Sequence, residues 1–355
     1  MGLNRGFCWV GSLAGAIVLT LMSAATAAAA TRGVGEHTTR QSSAEVRDYW
    51  TPERMREAEP IALPPTPAAG GSGARKPAFY AQPPDHEIDP SQDTVFPYRI
   101  HGVLFFTQAG QNGACSATVV TARSRDLVMT AAHCLARGAE VTGSGVIWSA
   151  DVLFVPGYRD GAAPFGGFAA TRLGAPIGWL QAEDPFFDVG VANLAPGAGG
   201  LIQDQLGARG LAFNRSSKSY RNDLFELYGY PGKPEPTYDG QRLILCLSTF
   251  QRFEGFTSSP LAAPCNQQEG SSGGGWVRNG QVQSVTSRAG CQSPIGCQLI
   301  AGTYLGEAAF QLYKRASGGI SKGKSKRLKR CKRVDRRAKR LRCRGRVQRF
   351  DADPR

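Results

Sequence analysis

One histidine stands where an apolar strand would end. Residues 127–134 read Leu-Val-Met-Thr-Ala-Ala-His-Cys, so a β-rich run leads directly to His133. The chain has four histidines. His37 and His86 lie in polar stretches, and His101 lies inside another β-rich run. An imidazole delivered at the end of a strand can act as a general base, so His133 is the candidate for proton transfer.

A serine follows in a glycine-rich turn. Residues 268–276 read Gln-Glu-Gly-Ser-Ser-Gly-Gly-Gly-Trp. Glycines on both sides permit the sharp backbone turn that exposes a hydroxyl, and Ser272 has the Gly-x-Ser-Gly-Gly frame that Ser271 lacks. We therefore predict Ser272 as a nucleophile, with the amide N–H groups of Gly270 and Ser272 directed at a developing oxyanion. Alone, the string is also typical of a Gly/Ser linker, but the strand-like Trp276 favours the turn.

Chain order restricts the third group. The turn also fits the Gly-x-Ser-x-Gly motif of α/β-hydrolases, in which the histidine follows the serine, but no histidine follows His133 here. The order aspartate, histidine, serine would need an aspartate before His133, where only loop or propeptide aspartates occur. The order histidine, aspartate, serine remains.

An aspartate between His133 and Ser272 must therefore hold the imidazole. Asp188 stands in Pro-Phe-Phe-Asp-Val-Gly-Val, with apolar residues on both sides. A carboxylate among apolar side chains needs a partner, and His133 would be one. We predict Asp188 as this residue and keep Asp184, four positions earlier, as the alternative.

The elements that would position these residues are strands. Short β-rich runs separated by Gly, Pro, Asn and Asp recur between residues 98 and 304. The chain also contains 44 glycines and 22 prolines, as many-turned β proteins do. This pattern predicts an all-β domain over residues 94–316, an antiparallel sandwich or barrel closed by an amphipathic helix near 305–314.

These strings resemble the trypsin/chymotrypsin superfamily of serine peptidases, and its secreted bacterial branch related to glutamyl endopeptidases in particular. The matching strings are residues 130–134, 187–189, 229–232 and 270–274. The resemblance covers residues 94–314. It implies two six-stranded antiparallel β-barrels with the site in the cleft between them, His133 and Asp188 coming from the first and Ser272 from the second. It also implies a serine endopeptidase that acts on protein or peptide substrates without a cofactor or metal.

Two positions and one missing histidine depart from the family pattern. Gly275 replaces a proline, and Ser271 replaces the aspartate whose buried ion pair activates trypsin-like zymogens. Glutamyl endopeptidases are thought to recognise substrate glutamate with a histidine in the second barrel. No histidine lies in that half of this chain, so the resemblance does not extend to cleavage preference.

The N-terminal 93 residues are expected to lie outside the domain. Residues 1–30 carry Arg5, an apolar run from about Phe7 to Met22 and small residues up to Ala30, which is typical of a cleaved secretory signal peptide. An uncleaved membrane anchor is the alternative. Residues 31–93 are polar and rich in proline and glycine, which predicts a mostly disordered propeptide or linker. Within it, Thr51 and Pro52 could begin a short helix.

The cysteines favour an oxidising compartment. Nine are present, and loss of Cys8 with the signal peptide would leave eight. The resemblance implies the pairs Cys115–Cys134, Cys246–Cys265 and Cys291–Cys297, leaving Cys331–Cys343 for the tail. Sequence alone does not fix this connectivity.

The basic charge belongs to the C-terminal tail, residues 317–355. Residues 321–355 hold 17 Lys and Arg against 3 Asp and Glu, which accounts for the whole net charge of +14. The tail is interpreted as a disordered extension, or as an anchor to an anionic cell-wall polymer or another polyanion. The expected protein is a secreted monomeric serine endopeptidase; the alternative is a catalytically inactive binding protein anchored by this tail.

Overall fold

The structure is a computed structural model. It describes residues 33–61, 85–215, 220, 223–233, 237–252, 261–289 and 299–318. The signal peptide prediction for residues 1–30 and the predicted tail from residue 319 onward fall outside these ranges. Within them no helix has the length and apolar character needed to span a bilayer.

Strands are the main regular secondary structure of the described chain. They are β1 Val34–Thr38, β2 Glu59–Pro60, β3 Asp85–Glu87, β4 His101–Gln108, β5 Gln111–Val119, β6 Leu127–Thr130, β7 Ala136–Arg137, β8 Ile147–Trp148, β9 Ala150–Pro156, β10 Phe168–Pro176, β11 Gly190–Leu194, β12 Gly210–Leu211, β13 Leu224–Gly229, β14 Ile244–Thr249, β15 Gln251–Arg252, β16 Leu261–Pro264, β17 Gly275–Arg278, β18 Gln281–Ala289 and β19 Leu299–Tyr304. The helices are α1 Ser43–Tyr49, α2 Pro52–Glu57, α3 Ala139–Thr142, α4 Ile177–Ala182, α5 Ile202–Leu206 and α6 Glu307–Ala316.

The first sheet closes into a six-stranded antiparallel barrel. Its order is β9, β4, β5, β6, β11 and β10, and β9 pairs with both β4 and β10. Alternate side chains fill the interior, including Leu104, Phe106, Val128 and Phe154. Since successive residues of a strand point to opposite faces, Val103 and Phe105 pack outside the barrel in the larger core.

The second sheet is curved into a half-barrel. Its order is β15, β16, β19, β18, β17, β13, β14 and β3, with β12 added beside β18. Phe225, Leu227, Trp276 and Ile300 pack in its core. The all-β, chymotrypsin-like fold class is therefore confirmed.

Helix α6 closes the domain as predicted. It follows the second sheet, but its buried residues Ala309 and Leu312 belong to the core shared with β11 of the first barrel. At its end, Asn193 Nδ2 donates to Ala316 O at 3.1 Å. Tyr313 Oη also donates to Thr121 O at 2.9 Å.

The expected disorder of residues 31–93 is wrong for the described parts of that segment. Strand β1 pairs with β10 of the first barrel, and β3 pairs with β14 of the second sheet. Trp50 is only 2% exposed, and its Nε1 donates to Asp151 O at 2.6 Å. The segment is polar on average, so its few apolar residues did not indicate that it folds. Their burial stabilises the chain around them. The predicted helix start is confirmed, since Thr51 caps α2 and Pro52 begins it.

Candidate active site

His133 is carried by the first barrel. All four residues of β6 are buried, and the chain then turns through a 3₁₀ segment, Ala132–Cys134. The disulfide Cys115–Cys134 fastens this turn to β5, as predicted. The imidazole is 5% exposed. The buried strand and the disulfide therefore fix the backbone position of His133, independently of the contacts of its side chain.

Asp188 contacts His133 at two points. Its Oδ2 lies 2.8 Å from His133 Nδ1, and its Oδ1 accepts from the backbone N–H of His133 at 2.9 Å. The alternative, Asp184, is not at this position, because its carboxylate caps its own turn by accepting from Phe186 N at 3.0 Å. The structure therefore brings Asp188, and not Asp184, to His133.

The second sheet completes the surroundings of Asp188. Ser287 Oγ, on β18, donates to Asp188 Oδ2 at 2.5 Å, and Thr303 Oγ1, on β19, donates to Asp188 O at 2.8 Å. Burial alone would raise the pKa of Asp188. The His133 charge and the hydrogen bonds from His133 and Ser287 outweigh burial and hold this pKa below its usual range. Asp188 therefore stays ionised while fully buried.

Ser272 lies in a turn built on two glycines with left-handed backbone. Gly270 has φ 88° and Gly273 has φ 81°. Ser116 fastens the turn to β5, since its N–H donates to Ser272 O at 2.7 Å and its Oγ donates to Gly270 O at 2.9 Å. Ser271 donates its hydroxyl to Gln268 O. Of the two adjacent serines, Ser272 is thus the one whose hydroxyl is not used within the turn.

The turn packs directly on the strand end that carries His133. A Cβ placed on Gly273 would lie 2.0 Å from Thr130 Oγ1 and 2.7 Å from Ala131 N. On the other side, Gly273 N donates to Thr286 O, next to Ser287, at 2.7 Å. In the described part of the chain, the buried atoms His133 Nε2 and Ser272 Oγ have no hydrogen-bond partner. The predicted base and the predicted nucleophile are therefore not hydrogen-bonded to each other or to another described residue.

The backbone beside Ser272 is arranged to donate. Glu269 O accepts from Gly232 N at 2.7 Å. Because a trans peptide directs its C=O and N–H to opposite sides, the N–H of Gly270 points away from that contact. No acceptor for Gly270 N or Ser272 N occurs among the described residues. These are the two amides predicted to hold an oxyanion.

The other histidines have different surroundings. His101 stacks on Tyr228 with 3.9 Å between ring centroids, and its Nδ1 lies 3.0 Å from Thr118 Oγ1. His37 stacks on Trp148, and His86 lies on β3. None of them is bonded to Asp188 in the described structure.

Two groups of residues have metal-ligand atoms close together. They are Cys115, His133 and Cys134, and Asp85, Cys246 and Cys265. In both groups the cysteines are joined as disulfides, Cys115–Cys134 and Cys246–Cys265, so no thiolate is available. Apart from its disulfide, each group has one side chain that could bind a metal ion, His133 in the first and Asp85 in the second. These two disulfides confirm the predicted pairs; Cys291–Cys297 and Cys331–Cys343 lie outside the described residues.

Sequence reasoning missed Ser116, Ser287 and Thr303. Each belongs to a strand that is distant along the chain from the residue it contacts. Ser116 is 154 positions from Gly270, and Ser287 and Thr303 are 99 and 115 positions from Asp188. Serine and threonine are common in strands, and no local pattern distinguishes these three.

The closed antiparallel barrel and the second half-barrel have the architecture of chymotrypsin-like serine proteases. No family model and no curated protein matches the chain. Among solved structures, the chain is similar to the protease Anisep from Arthrobacter nicotinovorans, with 30% identity and a TM-score of 0.54 over 62% of this chain and 96% of that one.

A thermostable serine protease, AL20, from an extremophilic microorganism is 31% identical, with a TM-score of 0.54 over 62% of this chain and 97% of that one. A Glu endopeptidase is 19% identical, with a TM-score of 0.51 over 66% and 96% of the two chains, and shows the shared fold alone. The chain belongs to the trypsin/chymotrypsin-like serine proteases.

Proposed function

We propose that the protein is a secreted serine endopeptidase that uses His133, Asp188 and Ser272 as a catalytic triad. The observation that carries the proposal is the double contact of Asp188 with His133, which leaves His133 Nε2, like the Ser272 hydroxyl, without a hydrogen-bond partner among the described residues. With Asp188 on Nδ1, the imidazole keeps its proton there and presents a lone pair at Nε2.

The reaction begins when Ser272 Oγ bonds to the carbonyl carbon of the substrate peptide and gives its proton to His133 Nε2. The carbonyl oxygen becomes an oxyanion, and the N–H groups of Gly270 and Ser272 stabilise it. The imidazolium then protonates the leaving amine, the C–N bond breaks and an acyl-enzyme remains. A water molecule then gives a proton to His133 and bonds to the acyl carbon. The bond from that carbon to Ser272 Oγ breaks as the imidazolium returns the proton to Ser272, and the acid is released. Asp188 stays ionised throughout and stabilises the imidazolium.

Hydrolysis of unstructured protein substrates tests the proposal. The secreted native chain should cleave casein, and Ser272→Ala should reduce kcat by about 10³-fold or more. Ser271→Ala is the matched control, because its hydroxyl bonds within the turn, and it should keep most of the activity. Equal activity of native protein and Ser272→Ala would exclude Ser272 as the nucleophile, and no hydrolysis by the native protein would favour the alternative, a catalytically inactive binding protein.

Secretion is part of the proposal. Disulfides persist in oxidising compartments, and Cys115–Cys134 and Cys246–Cys265 fit an extracellular location. The predicted signal peptide and the polyanion-binding tail remain predictions. Salt-sensitive binding to an anionic polymer that is lost on deleting residues 321–355 would support the tail's role, and binding that persists in high salt would contradict it.

A further inference from the structure

Arg288 is a buried cation beside the aspartate–histidine pair. It follows Ser287 on β18 and is 1% exposed. Its Nη1 donates to Pro185 O at 3.0 Å and to Ser287 Oγ at 3.3 Å. Its Nε is buried without an acceptor among the described residues. A buried guanidinium with incomplete hydrogen bonding destabilises the fold unless neighbouring charge offsets it.

The contacts of Arg288 lead to His133. Arginine only donates, so Ser287 Oγ accepts from Arg288 and its own hydrogen is left for Asp188 Oδ2. Arg288 Nη1 lies 3.3 Å from Ser287 Oγ, and Ser287 Oγ lies 2.5 Å from Asp188 Oδ2. The same carboxylate oxygen lies 2.8 Å from His133 Nδ1. Every member is buried. Hydrogen bonds therefore reach Asp188 Oδ2 from two sides: Ser287, which accepts from Arg288, donates to it, and His133 Nδ1 donates to it from the imidazole.

We propose that Arg288 is a positioning residue that, through Ser287, holds the Asp188 carboxylate toward His133 and disfavours positive charge on the imidazole. The proposal rests on the proposed function, since it concerns the same site. Its effect is electrostatic as well as geometric, because an arginine in a protein remains charged and the interior screens charges weakly.

Among the described residues, the other charged groups that act on Arg288 are both acidic. Asp188 and Asp184 interact with it from the turn that packs against β18, and His133 lies beyond Asp188. Burial lowers the pKa of Arg288, and the two carboxylates act in the opposite direction. Asp184 caps its own turn. Of the two acids, only Asp188 is linked to Arg288 through Ser287.

An NMR titration of His133 in the full chain with Ser272→Ala tests the proposal without requiring hydrolysis. Arg288→Met removes the charge at similar volume, and it should raise the midpoint of the His133 imidazole titration by about one pH unit. Arg288→Lys keeps the charge and should leave the midpoint near that of the parent. If Arg288→Met does not fold, Arg288→Gln provides the same uncharged comparison.

Kinetics with the native serine gives the second readout. Arg288→Met should lower kcat about tenfold with little change in KM, and Arg288→Lys should restore most of kcat. An unchanged His133 midpoint in the uncharged variants, or an effect confined to KM, would overturn the proposal and point to a substrate-facing arginine. If the titration shifts but the native chain hydrolyses nothing, the proposed function fails while this charge coupling stands.

Discussion

Asp188 Oδ1 and Oδ2 contact the backbone N–H and the Nδ1 of His133 at 2.9 and 2.8 Å. A single carboxylate thus fixes both the main chain and the ring of the residue that we propose as the base. The two contacts restrict the rotation of the imidazole and select its tautomer, so Asp188 sets the geometry of the proposed proton transfer.

Asp188→Asn should lower kcat by about 10³- to 10⁴-fold, because an amide stabilises the imidazolium poorly and permits the wrong tautomer. Peptide hydrolysis measures the loss. Asp184→Asn is the matched control and should remain close to native, since asparagine also caps the turn that Asp184 caps now. The reverse ranking would make Asp184 the functional acid.

Acid should destabilise the fold partly through Asp188. Its pKa is lower in the folded protein than in the unfolded chain. The stabilisation is therefore present above the ordinary aspartate pKa, about 3.9, and is lost as pH falls through the folded value. Urea unfolding of Ser272→Ala from about pH 6 to pH 3 should show this loss, and adding Asp188→Asn should make it smaller. An equally steep loss in both proteins would contradict the assignment.

Gly273→Ala should abolish activity, because the new Cβ would meet Thr130 Oγ1 and Ser116 O at 2.0 and 2.3 Å. Gly280→Ala is the matched control. Gly280 also has positive φ, 71°, but the nearest atom to its Cβ would be Arg209 Nη1 at 3.7 Å. It should cost about 1 kcal/mol of stability and spare kcat. Equal activities of the two variants would show that Gly273 does not position Ser272.

Trp50→Ala should destabilise the fold by about 3 to 5 kcal/mol, because it empties a buried site and removes the bond to Asp151 O. Urea unfolding in the Ser272→Ala background measures this change. Leu224→Ala, at a residue 55% exposed, should change stability by no more than about 0.5 kcal/mol. If Trp50→Ala were equally mild, residues 33–61 would contribute little to the stability of the domain.

The sequence predicts the site best where one short string contains the whole signal. In residues 130–134 the end of a strand is followed directly by His133. In residues 270–274 a glycine turn surrounds Ser272. Asp184 and Asp188 are harder to separate by sequence, since apolar residues follow both. Only the fold shows that one caps a turn and the other contacts His133.

Contacts between distant strands could not be predicted in the same way. Ser287 and Thr303 contact Asp188 only because β18 and β19 of the second sheet lie against the turn that precedes β11. Residues 33–61 were missed for a related reason. Val46, Trp50 and Met55 are too few to make that segment look foldable by itself, and they are buried only against a barrel that forms elsewhere in the chain.

Covalent labelling at Ser272 tests the central claim most directly. A peptidyl phosphonate that reacts with activated serines should modify the native chain once, and mass spectrometry of the digest should place the adduct on Ser272. His133→Ala should slow labelling by about 10³-fold or more, because the hydroxyl then lacks its base. An adduct on Ser271, or labelling of Ser272 at the same rate without His133, would contradict the account.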